Sequence, residues 1–328
     1  MSVFESATSS NSVDTTPVAE ATYHIRNEIN KVIVGQTAMI DLLMAALLTG
    51  GHVLIEGVPG IAKTLTARLL SRTISVKFSR IQFTPDLMPA DLIGTSVFNM
   101  KTTDFDFRQG PVFTNFLLAD EINRAQAKTQ SALFEVMEER QITSDGTTYP
   151  MSFPFFVVAT QNPIEQEGTY KLPEAQLDRF AFKIAVDYPE LADEKAILHR
   201  FSTDFDMDII QQVQPIISAA QLLGYRKTVE SVHIRPELID YIATLTHHTR
   251  HHSALYLGAS PRASLAILKT SKAIAAMQSR NYVTPDDIRT VCTPVLRHRI
   301  QLTPDRELEG FTAEQIIDEI IQSVEVPR

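Results

Sequence analysis

The stretch Gly57-Val58-Pro59-Gly60-Ile61-Ala62-Lys63-Thr64 constrains this chain more than any other. It follows the apolar run Val53-Leu54-Ile55 and opens a segment with helical spacing. A glycine-rich turn between a strand and a helix gathers several backbone N–H groups into one small cup. Those donors, the positive end of the helix dipole and the Lys63 ammonium together suit a polyphosphate.

The rest of the chain supplies the context such a turn needs. Strand candidates at 52–56, 76–83, 116–120, 155–159 and 182–186 alternate with helical segments such as 64–73 and 127–139. The third and fourth are near-continuous apolar runs, the pattern of strands buried on both faces of a parallel sheet. This predicts an α/β fold, a three-layer core with a five-stranded parallel sheet. After Pro189 the strand signals stop. Ser260-Pro261, Thr284-Pro285 and Thr303-Pro304 then read as helix starts, a hydroxyl cap followed by proline in the first turn. An all-α second domain is therefore expected over 191–328, after a core over 22–190. Residues 1–21, poor in large apolar groups, are expected to be a flexible tail, with helix from about Tyr23.

Length and charge agree. The 328 residues exceed one compact core. A net charge of −9 disfavours a nucleic-acid surface. A single cysteine, Cys292, excludes an internal disulfide and fits a reducing compartment. No apolar run reaches the roughly 20 residues of a membrane span, and no cationic leader followed by an apolar core opens the chain. The expected location is cytoplasmic.

The glycine turn resembles the P-loop pattern G-x-x-x-x-G-K-[ST], except that Ala62 stands at the second glycine. In such a loop Lys63 neutralises the outer phosphates and the Thr64 hydroxyl takes one Mg²⁺ position. The apolar strand Phe116-Leu117-Leu118-Ala119 ends in Asp120-Glu121. That places two carboxylates at the carboxyl edge of the sheet, where open α/β folds hold ligands. Asp120 suits Mg²⁺ and Glu121 suits activating water; two solvated acids at a strand end is the alternative.

With these motifs in order, the chain resembles the AAA+ ATPases, and within them the MoxR family of the helix-2-insert clade, related to magnesium-chelatase subunits. The resemblance covers about 22–325. It rests on Ile33-Val34-Gly35-Gln36, the 57–64 loop with its alanine, Asp120-Glu121-Ile122-Asn123-Arg124-Ala125, Ala159-Thr160-Gln161-Asn162-Pro163 and Leu172-Pro173-Glu174-Ala175-Gln176-Leu177-Asp178-Arg179-Phe180. It implies ATP and Mg²⁺ as ligands. Gly57, Val58, Pro59, Gly60, Ile61, Ala62, Lys63, Thr64 and Leu65 would form the phosphate site, and Ile33 and Val34 would pack on adenine. Thr64 and Asp120 would hold the metal, and Glu121, Lys63, Asn162, Arg179 and Arg262 would serve hydrolysis. Asn162 matches sensor 1, Arg179 the arginine finger that reaches a neighbouring subunit's nucleotide, and Arg262 sensor 2, in cis or in trans.

Each of these has a plainer alternative. Asn162 can be a turn former before Pro163, Arg179 a surface ion pair with Asp178 or Glu174, and Ile33 and Val34 simple core. The family further implies a hexameric ring, a chaperone-like role in maturing protein complexes or inserting metal or cofactors, and a von Willebrand factor A domain partner besides an unknown protein client. A nucleotide-gated switch with little hydrolysis and a DNA-stimulated motor are the competing readings.

Two segments match inserts of the clade. Residues 84–112 are too long for a plain connection. Residues 141–153, with Asp145-Gly146 at the middle, read as a hairpin. Both would face the axis of a ring or a partner, or else cap the sheet edge. His247, His248, His251 and His252 form two i,i+4 pairs with no carboxylate or cysteine beside them, which favours a solvated helix over a metal site. Cys292 reads as a small core residue.

Overall fold

The computed structural model describes residues 13–101, 103–163, 168–202 and 209–327. Residues 1–12 of the expected tail lie outside the described residues. The rest of that expectation is corrected, because α1 (Thr16–Asn30) begins before Tyr23, with Pro17 in its first turn. Val18, Ala21, Ile25 and Ile29 are buried along it. These form one helical stripe, and the small residues between them masked it.

α2 (Thr37–Thr49) is apolar almost all round, with Ile40, Leu43, Met44 and Leu47 buried, as a helix enclosed by neighbours requires. β1 (Val53–Gly57) then leads through the glycine turn into α3 (Lys63–Thr73), and β2 (Phe78–Gln82) follows. The first insert is α4 (Pro89–Ile93) and an antiparallel hairpin, β3 (Gly94–Asn99) with β4 (Asp104–Gln109). Next come β5 (Phe116–Asp120) and α5 (Ala127–Glu139). A second hairpin pairs β6 (Gln141–Ser144) with β7 (Thr147–Pro150), and Asp145 and Gly146 at its turn both have positive φ. The two hairpins meet where Phe107 stacks on Tyr149 at 4.7 Å. β8 (Phe156–Gln161), α6 (Glu174–Leu177) and β9 (Phe182–Val186) complete the core.

The central sheet has the order β2-β5-β8-β1-β9, all parallel. Alternation along the strands divides the apolar residues between two faces. Val53, Ile55, Phe116, Leu118, Phe156 and Val158 face the cluster that contains α1, α2 and α3. Leu54, Leu117, Ala119, Val157 and Ala159 face Leu133, Phe134 and Met137 of α5. The three-layer expectation is met.

The C-terminal region is helical: α7 (Leu191–Phe201), α8 (Ile209–Gln212), α9 (Ala219–Glu230), α10 (Pro236–His251), α11 (Pro261–Met277), α12 (Pro285–Leu296), α13 (Pro304–Leu308) and α14 (Ala313–Ser323). A short ribbon, β10 (Leu255–Leu257) with β11 (Gln301–Leu302), ties it. Helices start at Pro261, Pro285 and Pro304 after Ser260, Thr284 and Thr303. Their buried residues and the α1–α3 face of the sheet form one continuous apolar cluster. This helical region, called the lid below, thus rests directly on the core.

Candidate functional site

The turn after β1 has the backbone its sequence demands. A Cβ on Gly57 would lie 2.5 Å from the Val186 carbonyl oxygen, so only glycine fits there. Pro59 and Gly60 are exposed at the tip, Gly60 with φ 87, while Val58 and Leu65 are half-buried and Ile61 is buried. Ala62 caps α3 with φ 60 and ψ 19, the left-handed conformation glycine adopts freely. An alanine there costs about 1–2 kcal/mol, and the loop keeps its shape. Gln36 donates from Nε2 to the Ile61 carbonyl at 2.9 Å, tying the α1–α2 connection to the loop. The Lys63 ammonium donates to the Gly57 carbonyl at 2.5 Å. Burial lowers its pKa, while Asp120, Glu121 and Glu56 oppose that shift.

Asp120 and Glu121 sit one strand away, with β8 between β1 and β5. The Thr64 hydroxyl donates to Asp120 Oδ2 at 3.3 Å. Arg80 donates to the same oxygen from Nη2 at 2.7 Å and from Nε at 3.1 Å. Thr160 donates to Asp120 Oδ1 at 2.5 Å and accepts the Glu121 amide at 2.9 Å. Glu121 has φ 55. Its Oε2 accepts from Gln82 Nε2 at 2.8 Å and pairs with Arg124 Nε at 2.8 Å. Sequence reasoning missed Arg80, Gln82, Arg124 and Thr160. A signal existed for two of them: Arg80 and Gln82 share one face of β2, and Gln82 pairs in register with Asp120.

The donor set fits magnesium. Thr64 and Asp120 offer hard oxygen donors within one hydrogen bond of each other, and Mg²⁺ bound to a nucleotide takes few protein ligands. Asn162 follows β8 immediately and is buried. A cavity of about 530 Å³ lies between the end of β9 and the lid, lined by Val34, Gln36, Tyr188, Ile274 and Gln278 among others. Val34 lines it, whereas Ile33 is buried in the apolar cluster beside it. Tyr188, 71% exposed beside this cavity, was missed.

Arg179 lies elsewhere. β9 runs parallel to β1, with Val53 beside Phe182 and Gly57 beside Val186. Arg179 precedes β9, so it occupies the edge of the sheet opposite the loop. The strand between them is about 16 Å long. Arg179 Nη1 donates to the Phe134 carbonyl at 3.2 Å and pairs with Glu138 of α5. Arg262 Nη2 pairs with the same carboxylate at 2.8 Å. Burial and the neighbouring Arg262 lower the Arg179 pKa. The alternative pairs with Asp178 or Glu174 do not form: Asp178 accepts from Arg299 and Ser260, and Glu174 accepts from Gln301.

The His247 and His251 rings lie 4.4 Å apart at a tilt of 43°, and His252 lies 4.0 Å from Glu319. Among the described residues no group of three or more His, Cys, Asp or Glu could hold a metal. Cys292 is buried, and burial pushes its thiol up to about 12.

A nucleotide loop, an acidic strand end and a helical lid define an AAA ATPase, and the comparisons agree. Residues 52–182 match the model of the ATPase family associated with various cellular activities (AAA), and residues 247–320 match the AAA lid domain. The chain is 46% identical over 299 residues to the uncharacterized protein YeaC of Bacillus subtilis, covering 91% of this chain and 92% of that one. It is 44% identical over 310 residues to the chaperone MoxR1 of Mycobacterium tuberculosis, covering 92% and 81%. The crystal structure of a protein assigned as an ATPase from Cytophaga hutchinsonii superposes with a TM-score of 0.85 at 44% identity, covering 95% of this chain and 98% of that one. The chain belongs to the MoxR family of AAA ATPases. Among the described residues no helix is long and apolar enough to cross a membrane.

Proposed function

We propose that this ATPase hydrolyses Mg²⁺-bound ATP at a site completed by a second copy of the chain, and uses the turnover to remodel or mature a protein complex. The observation that carries this reading is the split of its charged groups between two edges of one sheet. Lys63, Thr64, Asp120 and Glu121 lie at the carboxyl edge; Arg179 and Arg262 lie together at the other, on Glu138.

Lys63 and the loop amides hold phosphate, with Val58, Pro59, Gly60 and Leu65 shaping the cup. Thr64 and Asp120 hold the Mg²⁺, which supplies charge neutralisation at the phosphates when bound. Glu121 orients and deprotonates water, and Asn162 offers its amide to the same water or to a phosphate oxygen. Arg179 is too far from its own loop to serve it. A guanidinium suits the charge of a transferring phosphoryl group, so Arg179 serves the next subunit's nucleotide. Arg262 shares Glu138 with Arg179, which favours action in trans for both. A head-to-tail contact of this kind closes into a ring or runs on as a filament; a hexameric ring is the proposed form.

Phosphate release measured for Glu121→Gln tests the chemistry, and turnover at the parent rate would refute it. A mixture of Lys63→Ala and Arg179→Ala subunits tests the sharing: each is inactive alone, and the mixture recovers turnover where an intact loop meets an intact arginine.

The chaperone-like role, with a von Willebrand factor A domain partner and possible metal or cofactor insertion, rests on the relatives, one of which is named a chaperone. Co-purification from the source cells with the Glu121→Gln form, against a Lys63→Ala control, tests it. The cytoplasm is the proposed location. One observation favours slow turnover in the free subunit: Glu121 is already engaged by Gln82 and Arg124. A rate that rises steeply with protein concentration separates an assembly-activated enzyme from a binding switch that never turns over.

A further inference from the structure

Arg299 follows α12 in the lid and is buried, yet the chemistry above makes no use of it. Its guanidinium spends all five N–H donors. Nε donates to Asp178 Oδ1 at 2.7 Å, and Nη2 to the carbonyls of Asp178 at 3.1 Å and Phe180 at 2.6 Å. Nη1 donates to the carbonyls of Ala181 at 3.3 Å and Val295 at 2.6 Å. Four of the five bonds reach the segment that carries Arg179, and they hold it on both sides of that residue. Two more lid groups join them: the His298 ring Nε2 meets the Phe180 carbonyl at 3.1 Å, and the Ser260 hydroxyl donates to Asp178 Oδ2 at 2.9 Å. Ser260 caps the helix that begins Pro261-Arg262, so Arg262 hangs from the same joint.

We infer that Arg299 is a positioning residue for Arg179: it clamps the 178–181 segment to the lid, so that the lid of one subunit aims Arg179 at the nucleotide of the next. The inference rests on Arg179 acting in trans. The physical ground is the saturated fork. A lysine keeps the charge but has three donors and no planar geometry, so it cannot hold the flanking carbonyls in one arrangement. A rotation of the lid must either carry the Arg179 segment along or break these bonds together. The lid angle set by one nucleotide thereby becomes the geometry of the neighbouring site, and a displacement of about 1 Å at a reacting group costs on the order of 100-fold in rate.

The test uses full-length protein and phosphate release from ATP. Arg299→Lys is expected to lower kcat about 10- to 100-fold with the KM for ATP near the parent value. Its far-UV circular dichroism and assembled size should remain those of the parent. Mixed with Lys63→Ala, it should recover turnover as Arg179→Ala does, because its own loop is intact and borrows the neighbour's arginine. Mixed with Arg179→Ala, it should stay at its own low rate. If Arg299→Lys gains no turnover with Lys63→Ala while Arg179→Ala recovers, Arg299 serves only its own subunit and the inference is overturned. If Arg179→Ala also fails to recover, the trans reading fails and the inference falls with it. Should Arg299→Lys not fold, Asp178→Asn removes the charge at the same joint while keeping its size. It goes through the same mixtures with the same two outcomes.

Discussion

Thr160 gives the sharpest test of how the acidic edge is built. It is 1% exposed, and its single hydroxyl donates to Asp120 Oδ1 while accepting the Glu121 amide. Thr160→Val keeps the shape and replaces that hydroxyl with a methyl. A hydrogen bond to a charged acceptor contributes about 1.5–3 kcal/mol, and a buried N–H left without a partner costs about 1–3 kcal/mol. The added methyl returns about 0.8 kcal/mol of apolar burial. The net loss is about 2–5 kcal/mol, which lowers the melting temperature by roughly 3–7 °C for a chain of this size. Glu121 loses the tether on its amide, so kcat should fall at least tenfold. Thr160→Ser keeps both bonds and gives up one buried methyl, about 1 kcal/mol, with kcat close to the parent. Thermal melts followed by circular dichroism, with phosphate release on the same samples, decide the matter. A valine variant that melts no lower than the serine variant and hydrolyses at its rate would falsify the account.

Other expectations follow from the same geometry. His52 is buried with its pKa lowered to about 4, chiefly by desolvation, while its ring accepts the Val157 amide and meets the Met137 carbonyl. The unfolded chain takes up a proton near pH 6.5 that the folded chain refuses until about 4. Stability is therefore full above 6.5 and falls through that window by about 3 kcal/mol. Urea unfolding at pH 7 and pH 5 should differ by about 2 kcal/mol from this group, and in His52→Gln the difference should shrink by that amount. Ala62→Gly relieves a left-handed alanine at about 1–2 kcal/mol but frees the unfolded chain by about 0.4–1 kcal/mol; a melt lowered by more than 1 °C would contradict the backbone reading. Gly57→Ala drives a Cβ against the fixed Val186 carbonyl, whereas a Cβ at Gly60 meets nothing within 4 Å. The first substitution should cost well over 2 kcal/mol and abolish ATP binding in a fluorescent-nucleotide titration, and the second should show only the left-handed strain of about 1–2 kcal/mol.

What was legible in the sequence is local. The glycine loop, the apolar strands ending in Asp120-Glu121, the Asp145-Gly146 turn and the helix starts at Pro261, Pro285 and Pro304 are each set within a few residues, by backbone freedom, capping or alternation. Their order along the chain also identified the family. Where the first turns carried only Val18 and Ala21 as their apolar residues, ahead of Ile25, the start of α1 was misplaced. The partners of charged groups were not legible. Arg179 has Asp178 and Glu174 close by in sequence, yet it pairs with Glu138 on α5. Asp178 pairs instead with Arg299, which follows α12 in the lid. Asp120 and Glu121 are held by Arg80 and Gln82 from the neighbouring strand. A long charged side chain finds its partner through space, and only the packing of sheet, α5 and lid brings those atoms within reach. The sequence by itself determined the family, and with it an ATPase, and singled out the 57–64 loop as the proposed phosphate site. Only the tertiary structure decided that Arg179 and Arg262 stand together at the opposite edge, because parallel strands separate the two ends of every strand by its full length.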